Sequence, residues 1–162
     1  MILLNIKIIC LGKVKETYLI DGINEYTKRI SKYANIEIIE LPDEPLPDSP
    51  SQKEIQSIKQ KEAEKISKHI KSSDFVCALD LAGKQFSSEE LSEKIKDITL
   101  KGFSTITFLI GGTVGLDREL VEKSNLIISF SKLTFPHQLI RLFLTEQLFR
   151  CFKIIHNERY HW

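Results

Sequence analysis

The decapeptide SFSKLTFPHQ, residues 129–138, separates two strongly apolar stretches of this 162-residue chain. The run LII at 126–128 before it is typical of a buried strand, and the apolar run at 139–155 after it is long enough for a helix. Hydroxyl side chains, one lysine and two phenylalanines interrupt the core pattern between them. Loops between a strand and a helix commonly hold the ligand of an α/β protein, so this segment is the first candidate for a site.

A second loop of the same kind lies one element earlier. Its sequence, GGTVG at 111–115, follows the apolar run TITFLI at 105–110. Glycine lets a backbone approach a ligand closely because no Cβ blocks the contact. The loop matches neither the Walker A motif nor the dinucleotide-binding fingerprint, and a tight turn that needs positive φ is the alternative explanation. Two such loops on successive strands predict one composite pocket.

Outward from these loops, strand and helix patterns alternate along the whole chain. Strand patterns occupy residues 3–11, 36–41, 75–81, 105–110 and 126–130. Helix patterns occupy residues 15–33, 51–71, 87–100, 116–123 and 136–155, and two of them begin with a capping-box pattern, Ser51 with Glu54 and Ser87 with Glu90. The order predicts an α/β fold with a mostly parallel sheet and helices on both faces, in a single domain over residues 1–162.

Composition excludes several classes of protein. Basic residues number 23 and acidic residues 22, so bulk charge does not mark a nucleic-acid binder, although a local basic face or a dimer groove would be enough. No apolar run approaches the ~20 residues that cross a membrane, and the first residues lack the pattern of a signal peptide. Cys10, Cys77 and Cys151 lie far apart among apolar residues, and no metal-binding spacing occurs. We expect a cytoplasmic protein with reduced thiols, no metal and no membrane contact.

The end of the chain carries a further signal. Eleven of the seventeen residues at 139–155 are apolar and do not share one helix face, which predicts burial on two sides and a homodimer through this helix. Tyr160, His161 and Trp162 follow, although chain ends are usually polar. They either dock on the body or a partner chain, or stack on a base and handle a proton.

The loop at 129–138 also has simpler explanations. Ser131 or Thr134 could cap the last helix, and we expect His137 to hydrogen-bond locally in its first turn.

Several segments together resemble the ribosomal RNA large subunit methyltransferase H family of the SPOUT class. The segments are KIICLGKVKETYL at 7–19, LPDE at 41–44, LIGG at 109–112, SFSKLTFPHQLIRLFLTEQLFR at 129–150 and Tyr160-His161. The resemblance implies a trefoil knot near the carboxyl end, S-adenosylmethionine as methyl donor, and methylation of N3 of a pseudouridine in the assembled ribosome. It places the cofactor contacts on Leu79, Gly111, Phe130, Ser131, Lys132, Leu133, Thr134 and Phe135. The family usually has a basic residue after Tyr-His, where this chain has Trp162.

Residue chemistry and the resemblance together suggest three catalytic candidates. His161 is the candidate base for the N3 proton, Arg150 the candidate cation and Tyr160 the candidate stacking platform. A non-catalytic module that binds an adenine nucleotide or RNA would use the same loops and remains the alternative. A flavodoxin-like flavin carrier ranks last, because the loop GKVK at 12–15 lacks the usual hydroxyl residues.

Overall fold

The computed structural model describes residues 3–160, in which helices and strands alternate strictly. Their bounds are β1 (Asn5–Leu11), α1 (Thr17–Ile30), β2 (Asn35–Leu41), α2 (Gln52–Ser67), β3 (Phe75–Lys84), α3 (Ser88–Leu100), β4 (Thr105–Ile110), α4 (Arg118–Lys123), β5 (Leu126–Ile128) and α5 (His137–Ile155). The predicted order of elements is confirmed. Both capping boxes are also present, with Ser51 and Ser87 each accepting a hydrogen bond from the backbone N–H three residues on.

The five strands form one parallel sheet in the order β2-β1-β4-β3-β5. Apolar side chains of α1, α3 and α5 pack on one face, and those of α2 and α4 pack on the other. The mostly parallel sheet with helices on both faces is therefore confirmed. Since β3 lies between β4 and β5, the loops that leave these three strands open side by side at the carboxyl edge.

The end of β3 departs from the sequence prediction because it pairs with β5. The strand continues to Lys84, whose carbonyl accepts a hydrogen bond of 3.0 Å from the Ser129 N–H. The Gly83 backbone packs closely on β5, because a Cβ at Gly83 would come within 2.6 Å of the Ile128 backbone. The close crossing of these two segments requires glycine at this position. The trefoil knot that the resemblance implies stays a prediction.

The last helix, α5, packs between α1 and α3 on the sheet. A Cβ at Gly22 of α1 would come within 2.9 Å of the Leu142 side chain, and Ser88, the first residue of α3, donates a hydrogen bond of 2.7 Å to Gln147. These neighbours cover part of the apolar circumference that the sequence prediction assigned to a second subunit. The homodimer therefore stays a prediction.

Candidate cofactor cavity and carboxyl-terminal cluster

A cavity of about 260 Å³ opens at the carboxyl ends of β3, β4 and β5. Seven of the eight predicted cofactor residues line it: Leu79, Gly111, Phe130, Ser131, Leu133, Thr134 and Phe135. Lys132 is exposed and is not among the lining residues. The cavity is also lined by residues to which sequence reasoning assigned no cofactor contact: Asp80, Leu116, Ile128, Ser129, His137 and Ile140. Asp80 could have been found, because it directly follows Leu79 at the end of a buried strand.

The glycine loop is a tight structure that closes on itself. The Gly115 N–H donates a hydrogen bond of 3.1 Å to the Gly112 carbonyl, and Gly115 has a φ of +81°, which favours glycine. At Gly111 the requirement is different, since a Cβ would lie only 2.8 Å from the backbone of Gly115 and Leu116. The loop thus needs glycine both for a turn and for close packing, and its Gly111, Gly112 and Gly115 form one wall of the cavity.

The loop at 129–135 is held by its own hydroxyl groups. The Ser129 hydroxyl donates to the Ser131 carbonyl, and the Ser131 hydroxyl accepts from the Leu133 N–H, both at 3.0 Å. Pro136 occupies the N-cap of α5 without a side-chain cap, so neither Ser131 nor Thr134 caps that helix. The capping alternative is wrong, and these two residues face the cavity instead.

Arg141 anchors the start of α5 beneath the cavity. Its side chain is 1% exposed, and its guanidinium donates to Glu40 at 2.7 Å and to the carbonyls of Leu11 and Gly12 at 2.7 and 2.8 Å. Burial, with the Arg141 charge adding to it, lowers the pKa of His137, so this histidine is neutral on the cavity wall. Among the described residues, the predicted local hydrogen bond of the His137 side chain is not formed.

A second cluster lies towards the other end of α5. Arg150 donates to Glu146 Oε1 at 2.6 Å, and the Tyr160 hydroxyl donates to the same oxygen at 2.8 Å. The Arg150 guanidinium lies 4.6 Å from the centre of the Tyr160 ring, and Gln147 donates to the other Glu146 oxygen at 2.7 Å. The structure therefore brings two catalytic candidates together through Glu146, a residue that sequence reasoning passed over. His161, the third candidate, lies outside the described residues.

The cavity and this cluster are separate within one chain. His137 borders the cavity, and Arg150 follows it thirteen positions later on the same helix, a separation of ~20 Å along the axis. Burial and the hydrogen bond to Glu146 raise the pKa of the Tyr160 phenol. The phenol is thus protonated near neutral pH and offers a ring face and a hydroxyl, not a base.

Comparison with known proteins identifies the class and then the family. A family model described as a predicted SPOUT methyltransferase matches residues 4–161, and the chain belongs to that class. The chain is 50% identical over 159 residues to the ribosomal RNA large subunit methyltransferase H of Desulforamulus reducens, covering 98% of this chain and 99% of that protein. For the protein of the same name from Streptococcus uberis, identity is 52% over 158 residues, with coverage of 98% and 99%. The chain therefore belongs to the ribosomal RNA large subunit methyltransferase H family.

A solved structure agrees with the fold. The probable methylase family protein from Haemophilus influenzae Rd KW20 superposes with a TM-score of 0.52 at 13% identity, covering 97% of this chain and 70% of that one. At this identity the likeness concerns the fold alone.

No helix within residues 3–160 is long and apolar enough to cross a bilayer. In the same residues, no group of three or more potential ligands is placed to hold a metal ion.

Proposed function

We propose that the protein transfers a methyl group from S-adenosylmethionine to large-subunit ribosomal RNA, at N3 of a pseudouridine, in the cytoplasm. Two findings agree on this function. Relatives about half identical over nearly their whole length bear the name of this methyltransferase. The residues that the resemblance assigned to the cofactor, with the exception of Lys132, line one cavity at the carboxyl edge of the sheet.

The cavity suits an adenosyl group. Apolar side chains of Leu116, Ile128 and Phe130 would cover an aromatic ring, and the close-packed backbone at Gly111 leaves polar main-chain groups near it. Leu79, Gly111 and the loop at 130–135 would hold the cofactor. When bound, S-adenosylmethionine supplies a methyl group on a positively charged sulfur.

The cluster around Glu146 suits the pseudouridine that would receive the methyl group. Tyr160 would stack on the pyrimidine ring, and Arg150 would stabilise the negative charge that appears when N3 loses its proton. His161 is the proposed base for that proton, on the strength of residue chemistry and resemblance. Glu146 holds Arg150 and Tyr160 in one arrangement before the substrate arrives, which lowers the entropic cost of aligning it.

The ~20 Å between cavity and cluster along α5 leads us to propose a homodimer in which each chain completes the other's site. The test mixes two impaired variants, Gly111→Ala in the cavity and Arg150→Ala in the cluster, after unfolding and refolding them together. Half of randomly assembled dimers are then mixed, and each has one intact composite site, so we expect about 25% of wild-type activity. A mixture as inactive as either variant alone would show that one chain supplies both halves.

The reaction itself is tested with labelled S-adenosylmethionine and ribosomes from cells that lack this activity. Nucleoside analysis should place the label on a methylated pseudouridine of the large-subunit RNA. The net charge of +1 predicts that naked RNA is a poor substrate, because binding must then rest on the shape of the assembled ribosome. Label on another nucleoside would refute the position. Cofactor binding without any label would favour the non-catalytic alternative.

A further inference from the structure

A second cavity, of about 250 Å³, lies on the other side of the glycine loop. Its wall is formed by the segment after β2, the inward face of α2 and two residues of the glycine loop: Asp43, Glu44, Pro45, Leu46, Ile58, Glu62, Thr113 and Val114. None of these residues lines the cavity described above. The second cavity is thus a separate site candidate that the proposed methyl transfer does not use.

Glu62 is a buried acid with half of its carboxylate unused. It lies on the inward stripe of α2 with Ile58 and Ile66, and its residue surface is 4% exposed. Glu62 Oε2 accepts a hydrogen bond of 3.1 Å from the Glu44 N–H. Glu62 Oε1 is buried without any hydrogen-bond partner in the described part of the chain. A buried acceptor is ordinarily satisfied, so this oxygen points to a donor that is not part of residues 3–160.

The charges around Glu62 specify what kind of donor is needed. Lys65 is already engaged, at 2.9 Å from Glu44 Oε1 and 2.9 Å from the Pro42 carbonyl. Asp43 makes no ion pair or side-chain hydrogen bond within residues 3–160. Burial raises the pKa of Glu62, and the charge of Asp43 adds to this effect. With Lys65 paired to Glu44, Asp43 and Glu62 are carboxyl groups of the second cavity without a basic partner in the described residues, and a positively charged donor would balance them.

Apart from Thr113, the remaining wall of the second cavity is apolar. Pro45, Leu46, Ile58 and Val114 lie around the carboxylates, and Leu46 at the rim is 41% exposed. The buried Glu62 carboxylate, the exposed Asp43 and the apolar wall between them match a positively charged group at the end of an aliphatic stem, which buries its methylene groups and pairs its head. A bare metal ion would leave the apolar walls without a partner, and the described residues offer it no set of three ligands.

We propose that the second cavity binds a primary alkylammonium group, with Glu62 Oε1 and Asp43 as acceptors. The group belongs either to a lysine side chain of another protein or to a small polyamine. Glu62 also lies directly behind the glycine loop, since a Cβ at Gly112 would be 3.6 Å from its Oε2. The bound ammonium would therefore sit beside the loop whose other side lines the cofactor cavity.

The test is an NMR titration of the isotopically labelled full chain with three probes. These are cadaverine, Nα-acetyl-lysine methylamide and the neutral isostere 1,5-pentanediol. We expect saturable shifts of the Thr113 and Val114 amide signals with both amines, roughly millimolar dissociation constants, and none with the diol. Saturation by acetyl-lysine methylamide as readily as by cadaverine assigns the site to a protein side chain. Clear preference for cadaverine assigns it to a polyamine.

Variants make the result specific. Glu62→Gln keeps the size and the acceptor of the side chain but removes its charge, and should weaken both amines at least tenfold. Asp48→Asn is the matched control, because Asp48 is exposed in the same segment and does not line the second cavity. Its affinity should be that of the wild type, and circular dichroism checks that both variants fold. Equal affinity in Glu62→Gln, the absence of saturable shifts, or displacement of the amines by Mg²⁺ with the same shifts would overturn the proposal.

Discussion

Replacing Gly111 by alanine should weaken cofactor binding at least tenfold while leaving the protein folded. The added Cβ would lie 2.8 Å from the Gly115 carbonyl carbon and 2.8 Å from the Leu116 nitrogen. Both contacts are with backbone, so no side chain can rotate away. Relief requires the glycine loop to move, and the loop is a wall of the proposed cofactor cavity.

The size of the effect follows from this geometry. Ordinary van der Waals contact begins at 3.4 Å, so the backbone must separate by about 0.6 Å. Overpacking of this kind costs ~1–3 kcal/mol of folding free energy. A cofactor held by main-chain groups of the displaced wall should bind at least tenfold more weakly, a loss of ~1.4 kcal/mol or more.

Isothermal titration calorimetry with S-adenosylmethionine measures the affinity, and urea unfolding measures the stability. Gly102→Ala is the matched control. Gly102 has a φ of +96°, so alanine is strained there, but a Cβ at this position meets nothing within 4 Å and lies far from the cavity lining. This control should lose stability without losing affinity.

A Gly111→Ala variant that binds S-adenosylmethionine as the wild type does would refute the assignment of the cavity. Equal losses of affinity in Gly111→Ala and Gly102→Ala would refute it too, because global destabilisation would then explain both. Loss of binding in Gly111→Ala alone supports the view that the glycine loop touches the cofactor.

Three further predictions concern other parts of the chain. Glu146→Gln should lower the methyl-transfer rate roughly tenfold or more without changing cofactor affinity, because Glu146 positions Arg150 and Tyr160 and does not line the cavity. Single-turnover kinetics measures the rate, and calorimetry measures the affinity. Burial raises the pKa of Asp74, but hydrogen bonds from three neighbours outweigh this effect and lower the pKa overall. Asp74→Asn should therefore lower the free energy of unfolding by ~1–3 kcal/mol at pH 7. In urea unfolding series, the difference in stability between wild type and variant should shrink as the pH falls below about 4. Burial raises the pKa of Cys10 to about 11 and those of Cys77 and Cys151 to about 12, so iodoacetamide at pH 8 should leave the native thiols unmodified by mass spectrometry and alkylate all three in urea.

Much of the candidate site was predictable because its signals are local. The two loops lie directly after apolar strands, and parallel strands present their carboxyl ends at one edge. Gly111 and Thr134 could therefore be placed near one another from the sequence. Lys132 shows where this reasoning ends, since a residue in the right loop can still face solvent.

Arg141 and Glu62 could not have been assigned from the sequence. In a helix pattern each is simply a charged residue, and such residues are usually solvated. Arg141 is buried only because β1 and β2 bring the carbonyl of Leu11 and the carboxylate of Glu40 beneath α5. These partners are 130 and 101 residues away along the chain, and no local spacing announces them.

Local patterns in the chain already established the alternation of strands and helices, the capped helix starts, the ligand-type loops and the family. Hydrophobic periodicity and capping act within a few residues, so the residues involved can be read directly from the chain. The folded structure was needed to fix the strand order β2-β1-β4-β3-β5, which places β3 between the two strands whose loops form the cavity. It also decided that Arg150 and Tyr160 gather around Glu146, ~20 Å along α5 from the cavity. Packing between distant segments sets both features, because long-range contacts depend on the shapes of whole elements and not on neighbours in sequence.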